Sequence, residues 1–571
     1  MKEACGVFAV YAPGYRAAQL TFDGLYSLQH RGQESAGMAV SDGELVTVVK
    51  DMGLVSSVFD ERTIGCLPGS IAIGHTRYST AGDSTWRNAQ PVFRSVGSAS
   101  LALAHNGNLT NVEELGLEAG MIPEVLTTDS DFVMELLSKA VVRAMASRGA
   151  GTGAGTGNDG LLEAAMVEVL PRLQGAYSFV AMDAKHIFGA RDPDGFRPLC
   201  LGVLPGNGSN GVSRDGERGS GVPGGLEGGV GVAGGEPVHG LRHSGRSRPL
   251  EGGVGVAGGE PGYVLASETP ALDVIGARFL REIEPGELVV IDAGGVRSLR
   301  LSPAGAGDPH LCIFEFVYFA RPDSNLYGTE VHGARRRMGE YLAAELPVRA
   351  DMVMGVPDSG VPAAEGYSKA SGIPYGQGLV KNRYIGRTFI TPGQMARVRG
   401  VRRKLNPLKE SISGKRLVVV DDSIVRGTTT REMVRMLKES GAREVHLRIS
   451  SPPFRWPCFY GIDTPERSEL LASNRTVREI EGYLGVDSLA YLSLEGLYKA
   501  IGVPGGGFCT ACLTGEYPVP VRDKALRLGV GGTEHAGTND TGTEHAGTAI
   551  ADADEDIPRL IPGVRLRARV R

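Results

Sequence analysis

Two adjacent carboxylates follow an apolar segment in the second half of the chain, and a loop of small and hydroxyl residues comes next. The stretch reads Lys415-Arg-Leu-Val-Val-Val-Asp-Asp-Ser-Ile-Val-Arg-Gly-Thr-Thr-Thr430. Its apolar part predicts a buried strand, and ligands of open α/β sheets bind beyond the carboxyl ends of strands. Ser423–Thr429 offers N–H groups, hydroxyls and a helix N-terminus, which suit a 5′-phosphate. Asp421 and Asp422 would then lie beside a ribose, or share a Mg²⁺, although two acids after a strand also suit other doubly wound folds.

Two further segments point to the same ligand chemistry. Gly355-Val-Pro-Asp-Ser-Gly360 follows a second apolar segment, as a phosphate-binding loop would. The run from Lys381 to Lys409 holds nine Lys or Arg and no Asp or Glu. Such a run could bind nucleic acid. Beside a phosphate loop a pyrophosphate is the better partner, and Gly and Pro in the run suit a loop that closes over substrate and excludes water.

A cysteine stands almost at the start of the chain, at position 5. A cysteine near a terminus is usually a small buried hydrophobe. The alternative is that residues 1–4 are a propeptide whose removal leaves Cys5 with a free α-amine. An amine with a pKa of roughly 8 can act as the base that activates the thiol.

The segments after Cys5 favour that alternative. They are Leu28-Gln-His-Arg-Gly-Gln-Glu-Ser35, Gly74-His-Thr-Arg-Tyr-Ser-Thr80, His105-Asn-Gly-Asn-Leu109 and Thr127-Thr-Asp-Ser-Asp131. In this order they resemble the class II, N-terminal-nucleophile glutamine amidotransferases. The resemblance implies that Arg77 binds the glutamine carboxylate, Asp129 its ammonium group, and Asn106 and Gly107 the oxyanion, while His30 is structural. Taken singly, Arg77 could form a surface ion pair and Asn106-Gly107 a hairpin turn.

The C-terminal motifs resemble the type I phosphoribosyltransferase fingerprint, and both halves together resemble the amidophosphoribosyltransferase family from Cys5 to about Pro520. The resemblance implies glutamine and phosphoribosyl pyrophosphate as substrates, ammonia passing between two sites, a bound Mg²⁺ on Ser359, Asp421 and Asp422, and tetramers inhibited by purine nucleotides. It implies these phosphoribosyl pyrophosphate ligands: Asp358, Ser359, Lys381, Arg383, Arg387, Asp421, Asp422, Ser423, Arg426, Gly427, Thr428 and Thr429.

Four of the seven cysteines form a further candidate site: Cys312, Cys458, Cys509 and Cys512. By spacing alone they could bind Zn²⁺ or an iron–sulfur cluster, with only the C-x-x-C pair local. Redox chemistry at that pair, or plain buried thiols, would also explain them. Their sequence contexts resemble the branch of the family that carries a [4Fe–4S] cluster, which favours the cluster over zinc. Cys66 and Cys200 are predicted to be ordinary buried residues.

The elements that must position these residues fall into two groups. Short strands and turns over residues 5–290 predict a class II glutaminase domain of four αββα layers. Alternating helices and apolar strands over residues 291–525 predict a doubly wound parallel sheet, the α/β phosphoribosyltransferase fold. The Gly-rich insertion at residues 205–262, with a twelve-residue sequence present twice, and the tail at residues 526–571 are expected to be disordered.

Composition limits the remaining possibilities. A net charge of -5 with interspersed signs gives no field that would draw the chain to nucleic acid or membrane. No apolar run approaches the ~20 residues that span a bilayer, and no signal segment is evident, so a cytoplasmic protein is expected. Two rival functions are a sugar-phosphate aminating amidotransferase, which would lack the Asp421-Asp422 motif, and a regulatory sensor of phosphoribosyl pyrophosphate, which would have a damaged glutaminase site.

Overall fold

The structure is a computed structural model that describes residues 5–78, 85–121, 126–149, 159–206, 260–301, 309–382, 401–464, 466–503 and 507–521. The predicted propeptide, most of the insertion (207–259), the tail from residue 522, and both Arg383 and Arg387 lie outside these ranges. None of the described helices is both long and apolar enough to cross a membrane.

Strands of the first half form two antiparallel sheets. The seven-stranded sheet has the order β11-β9-β10-β1-β4-β2-β3 and the six-stranded sheet the order β13-β12-β8-β7-β6-β5. The second sheet includes β13, which lies beyond the predicted domain boundary at residue 290. The strands are β1 Gly6–Tyr11, β2 Ser35–Ser41, β3 Val46–Met52, β4 Ile71–Arg77, β5 Val92–Val96, β6 Ala99–Leu109, β7 Gly175–Met182, β8 Ile187–Arg191, β9 Cys200–Leu204, β10 Gly262–Ala266, β11 Arg278–Glu282, β12 Glu287–Asp292 and β13 Gly295–Arg300.

Alternation along β1 shows how the two sheets and their helices form four layers. Val7 and Ala9 point into the core between the sheets, whereas Phe8 and Val10 point outward onto the helix Ala17–Ser27. Successive side chains of a strand point to opposite faces, so a strand buried on both faces contributes alternate residues to two cores. The helices of this half are Ala17–Ser27, Val55–Val58, Glu61–Gly65, Val112–Glu118, Asp129–Gly149, Leu161–Val169 and Pro270–Asp273, with 3₁₀ turns at Trp86–Asn88 and Leu170–Arg172. The predicted αββα architecture is confirmed.

The second half is built around a parallel sheet of order β17-β20-β21-β22. In β20, Val418 and Val420 face one helical layer and Leu417 and Val419 face the other. The predicted sheet covered on both faces is therefore confirmed. The strands are β14 Leu311–Cys312, β15 Asn325–Leu326, β16 Thr329–Glu330, β17 Met352–Gly355, β18 Leu379–Lys381, β19 Leu405–Pro407, β20 Arg416–Asp421, β21 Glu444–Ile449, β22 Ser488–Tyr491 and β23 Phe508–Cys509.

Helices of this half begin where loops reach the carboxyl edge of the sheet, as at Val361 and Thr428. They are Val331–Glu345, Val361–Ser371, Lys409–Ile412, Thr428–Glu439, Val477–Leu484, Leu494–Ile501 and Ala511–Thr514, with a π-helical turn at Glu315–Phe319 and a 3₁₀ turn at Arg467–Glu469. The strand β10 pairs antiparallel with β9, with Gly262 opposite Leu204. The segments that flank the insertion are thus adjacent strands.

Candidate active sites

Cys5 lies directly before β1 and is 7% exposed. Its thiol lies against the backbone of Tyr78: Sγ donates to the Tyr78 carbonyl over 3.3 Å and accepts from the Tyr78 N–H over 3.4 Å. Burial raises the pKa of the Cys5 thiol, while the Tyr78 backbone and the charge of Arg77 act in the opposite direction. A buried thiol of this kind needs a nearby base to become a nucleophile.

Arg77 and Asp129 are both close enough to Cys5 to influence its ionisation. Arg77 ends β4 and is 3% exposed, so the alternative of a surface ion pair is wrong. Its Nη1 lies 3.9 Å from Oε2 of Glu34. Asp129 begins the helix Asp129–Gly149 and accepts from the N–H groups of Leu109 and Ser130. Burial raises the pKa of Asp129, but His105 and these donors outweigh burial and hold it below its usual value.

Asn106 and Gly107 lie inside β6, paired with Ser178 and Tyr177 of β7, so the hairpin-turn alternative is also wrong. The Asn106 side chain is fully buried, and neither its Nδ2 nor its Oδ1 has a hydrogen-bond partner among the described residues. Buried polar groups are rarely left unpaired, so this amide suits a ligand. Gly107 has φ +152°, and a Cβ there would meet the Ala176 carbonyl oxygen at 2.1 Å, which excludes any other residue.

The two predicted phosphate-binding loops meet at the carboxyl edge of the parallel sheet. The N–H of Val356 donates to the carbonyl of Val420 over 2.9 Å, and a Cβ on Gly360 would lie 2.3 Å from that same oxygen. Gly427 precedes the helix Thr428–Glu439 with φ +71°, so the loop turns sharply and places Thr428 and Thr429 at a helix N-terminus. Ser359 and Ser423 belong to these two adjoining loops.

Asp421 and Asp422 concentrate negative charge at this edge. Burial and the charge of Asp422 raise the pKa of Asp421 well above its usual value. The hydroxyl of Ser423 donates to Asp422. Adjacent carboxylates whose ionisation is mutually unfavourable form a site that a divalent cation would stabilise.

The basic ligands predicted around the loops have partners in this structure. Lys381, at the end of β18, forms an ion pair with Asp358, and Arg426 forms one with Glu469. Each cation would have to exchange its carboxylate for a phosphate on binding. Arg383 and Arg387 lie outside the described residues.

The four predicted metal-binding cysteines come together at the boundary of the two halves. Cys312 lies opposite Cys509 in the short parallel pair β14–β23, and Cys512 follows one helical turn later. Burial is the main cause that raises the pKa of Cys312, Cys509 and Cys512, and Cys458 raises each further; for Cys312 the value is about 12. No set of three His, Cys, Asp or Glu side chains in the described parts of the chain is already arranged to hold a metal ion.

The other two cysteines differ from each other. Cys200 is buried, as predicted, and its thiol donates to the Ala266 carbonyl. Cys66 is exposed, so its predicted burial is wrong. It ends the short surface helix Glu61–Gly65, in which only Ile64 is buried.

A buried ionic network that the sequence motifs did not predict connects the two halves. Arg31 donates from Nε to the Cys5 carbonyl over 3.0 Å, from Nη1 to Glu268 over 2.5 Å, and from Nη2 to Glu315 over 2.9 Å. Arg197 also contacts Glu315, at 3.3 Å. All four side chains are at most 1% exposed. Arg31 lies within a segment that the family resemblance includes, but Glu315 carries no sequence signal.

Two further contacts complete this network and the region beside it. His30 contacts Glu268 at 2.7 Å, which supports its predicted structural role. Tyr318, in the same π-helical turn as Glu315, is close enough to Asp421, Asp422 and Tyr78 for each to raise its pKa, although burial is the larger cause. Tyr78 is the residue that holds the Cys5 thiol. Tyr318 is therefore close enough to both candidate active sites to be influenced by their ionisable groups.

Two family models match the chain: glutamine amidotransferases class-II over residues 31–196 and the phosphoribosyl transferase domain over residues 331–450. The amidophosphoribosyltransferase of Mycobacterium leprae is 47% identical over 547 residues, covering 94% of this chain and 85% of that protein. The one from Bacillus subtilis is 42% identical, covering 91% and 95%. A solved structure of glutamine phosphoribosylpyrophosphate amidotransferase from B. subtilis, complexed with ADP and GMP, is 40% identical with a TM-score of 0.72, over 91% of this chain and 98% of that one.

Proposed function

The chain belongs to the amidophosphoribosyltransferase family, and on that premise we propose which residues perform each part of the reaction. The enzyme converts glutamine, 5-phosphoribosyl 1-pyrophosphate and water to 5-phosphoribosylamine, glutamate and pyrophosphate, the entry to purine biosynthesis. Neither rival function fits: a sugar-phosphate aminating enzyme would lack the second half, and the glutaminase residues are all present. The buried, unpartnered amide of Asn106 carries the assignment of the glutaminase half.

Glutamine hydrolysis is assigned to the site around Cys5. Removal of residues 1–4 supplies the α-amine that accepts the thiol proton. Arg77 binds the substrate carboxylate and Asp129, held ionised, binds its ammonium group. Thiolate attack on the amide carbon creates an oxyanion, to which the Asn106 side chain and the Gly107 N–H donate. Collapse of the oxyanion with protonation of the leaving nitrogen releases ammonia and leaves a glutamyl thioester on Cys5. Water then hydrolyses the thioester to glutamate and restores the thiol.

The phosphoribosyl site is assigned to the two loops at the carboxyl edge of the parallel sheet. Ser423, Arg426, Gly427, Thr428 and Thr429 hold the 5′-phosphate. The loop that contains Asp358 and Ser359 binds the pyrophosphate side, where Lys381, Arg383 and Arg387 supply the positive charge. Asp421 and Asp422 bind the ribose hydroxyls and, with Ser359, Mg²⁺. The raised pKa of Asp421 supports this fit, because a nearby cation would favour its ionised form. When bound, Mg²⁺ would offset the charge of the departing pyrophosphate.

Ammonia must travel from Cys5 to C1 of the ribose. The backbone of Tyr78 contacts the thiol, and Tyr318 is close enough to Tyr78 and to the paired aspartates for each to raise its pKa. We therefore assign the ammonia passage to the space beside the rings of Tyr78 and Tyr318. A passage lined by protein limits competition from water at C1.

An iron–sulfur cluster is proposed for the four cysteines. A site whose donors are all thiols suits [4Fe–4S] or Zn²⁺. Burial and the neighbouring cysteines raise the pKa of Cys509 and Cys512, so ionisation of these thiols is unfavourable unless a metal is bound. The contexts of the cysteines favour the cluster. Protein purified without oxygen should be brown and contain about four irons and four sulfides per chain. Stoichiometric zinc without visible absorbance would replace this assignment with a zinc site.

The remaining expectations stay proposals: a homotetramer, inhibition by purine nucleotides, and a cytoplasmic location. The B. subtilis relative was solved with ADP and GMP, which supports nucleotide binding here. Nucleotide inhibition is tested by initial rates with AMP, GMP and ADP, and assembly by light scattering.

The central experiment separates the two chemistries. Cys5→Ala should abolish the glutamine-dependent reaction and leave synthesis from added ammonia largely intact. Intact mass of the active wild type should show that the chain begins at Cys5. Loss of both activities in a folded Cys5→Ala variant, or full activity with residues 1–4 attached, would contradict the assignment.

A further inference from the structure

A basic cavity of about 470 Å³ lies in the second half of the chain. Leu513 and Thr514, which follow the C-x-x-C pair, close one end of it. The lining residues that matter here are Arg455, Trp456, Arg467, Asn474, Arg475 and Thr476. No acidic side chain contributes to the lining. A concave site with several cations and adjacent amide and hydroxyl groups suits an anionic ligand.

Arg467 gives the strongest indication of a missing ligand. Its guanidinium lies over the indole ring of Trp456, 3.8 Å from the centroid. Its Nε is buried and has no hydrogen-bond partner among the described residues. Stacking fixes the plane of a guanidinium and leaves its edge to bind an anion, and a planar fork is the preferred partner of phosphate oxygens.

A carboxylate close to the cavity, that of Glu479, is engaged in capping a helix. Glu479 caps the following helix, Val477–Leu484, by accepting from the N–H and the hydroxyl of Thr476. Arg475 lies over the ring of Tyr483, 5.3 Å from the centroid, and helps to hold the pKa of Glu479 low, although the hydrogen bonds from Thr476 are the larger cause. The residues that line the cavity thus include three arginines and no carboxylate, with the Glu479 carboxylate close to Arg475.

The segment that lines the cavity also supports the phosphate loop. The N–H of Leu471 donates to the carbonyl of Val425 over 2.8 Å, and Glu469 pairs with Arg426. A Cβ on Gly427 would lie 2.5 Å from Cδ2 of Leu471. A ligand that draws Arg467 or Arg475 toward itself would therefore shift a segment in direct contact with the loop.

We propose that this cavity is a second anion site, separate from the substrate loops, that binds a phosphorylated small molecule through Arg455, Arg467 and Arg475. Its volume exceeds that of a phosphate group alone, so it has room for a ligand larger than inorganic phosphate. This inference does not depend on the assigned reaction, because binding can be measured in the absence of turnover.

The two tryptophans of the chain allow a direct test. Protein labelled with 5-fluorotryptophan gives two ¹⁹F NMR signals, one from Trp456 in the cavity and one from Trp86, which is half exposed in the first half and serves as an internal reference. Titration with inorganic phosphate, against chloride at equal ionic strength, should shift the Trp456 signal saturably and leave Trp86 unchanged. The double variant R455Q/R475Q should weaken phosphate binding at least about tenfold, as expected for lost charge-assisted hydrogen bonds.

Two controls make the result decisive. Arg443→Gln removes a highly exposed arginine elsewhere on the same half and should bind phosphate as the wild type does. An identical titration of R455Q/R475Q and wild type, or an equal response to chloride, would overturn the proposal. The proposal would also be overturned if phosphate shifted the Trp456 signal only in a variant that ends at Val521. That result would identify the acidic run Asp552–Asp556 of the chain's own tail as the occupant of the cavity.

Discussion

Asn106 is buried in a strand with both ends of its amide unpaired, which is unfavourable for folding and useful for catalysis. Asn106→Ala should reduce glutamine-dependent turnover about 10²–10³-fold, the usual cost of losing an oxyanion donor. Tm should change little, because no described group loses a hydrogen bond when the Asn106 amide is removed. Ammonia-dependent synthesis should also change little, because it takes place at the other site. Asn111→Ala is the matched control: Asn111 is buried but bonded to Arg172 and Gln174, so its loss should lower Tm and spare turnover. The opposite pattern for the two variants would remove Asn106 from the oxyanion site.

Asp421 and Asp422 carry the corresponding prediction for the second site. Asp421→Asn or Asp422→Asn should raise KM for phosphoribosyl pyrophosphate at least about tenfold, since each removes a charge-assisted contact. Basal glutaminase activity should survive. Asp351→Asn is the control, because Asp351 pairs with Arg416 at the opposite end of the same strand. Unchanged kinetics in both active-site variants would show that the loop has been misassigned.

At the scale of elements, the π-helical turn Glu315–Phe319 is one of the connections between the halves. Glu315 accepts from both Arg31 and Arg197, so Glu315→Gln leaves buried positive charge less compensated, and breaking such a pair costs roughly 3–5 kcal/mol. We expect a lower Tm and a lower kcat for glutamine hydrolysis. KM for glutamine should be nearly unchanged, because glutamine binding is assigned to Arg77 and Asp129, whereas Glu315 pairs with Arg31 and Arg197. Glu330→Gln, an exposed acid before the helix Val331–Glu345, is the control. A change in KM alone would place Glu315 in glutamine binding instead.

The hairpin β9–β10 determines what deleting the insertion should do. Leu204 and Gly262 are already paired. Deleting residues 207–259 and joining Gly206 to Glu260 therefore leaves a four-residue turn between the two strands. Loop-closure cost grows only logarithmically with length, so the long connection costs about 1–3 kcal/mol. The shortened chain should keep both activities with equal or slightly higher thermal stability. Misfolding, or glutamine hydrolysis no longer coupled to phosphoribosylamine formation, would show that the insertion has a function.

For the whole molecule, the ionic network makes the contact between halves sensitive to acid. Burial alone would raise the pKa of Glu268, but His30 and Arg31 outweigh it and hold the pKa far below its ordinary 4.5. Below about pH 4.5 the unfolded chain binds more protons at Glu268 than the native chain does. The stabilisation that ionised Glu268 provides is therefore complete above about pH 4.5 and is lost as the pH falls. The Tm difference between wild type and Glu268→Gln should therefore be constant from pH 7 to 5 and shrink below 4.5. A difference that grows in acid would contradict this sign.

The sequence predicted what contiguous residues determine and missed what distant segments create. Asp421–Thr429 is a strand, loop and helix start in one stretch, so its position at the sheet edge followed from order alone. Asn106-Gly107 could equally form a turn, because only pairing with β7 makes it a strand. The contact of Arg31 with Glu315 spans 284 residues and leaves no periodic signal. Exposure of Cys66 depends on which face of a five-residue helix packs inward.

That long separation has a consequence during synthesis on the ribosome. Every residue assigned to glutamine hydrolysis has been translated well before Glu315 emerges. Until then Arg31, which holds the carbonyl of the nucleophilic cysteine, lacks one of its two acidic partners. We therefore expect the nascent chain to reach full glutaminase activity only after Glu315 has been translated. We expect this order to limit glutamine hydrolysis by an incomplete chain, which has no acceptor for the ammonia.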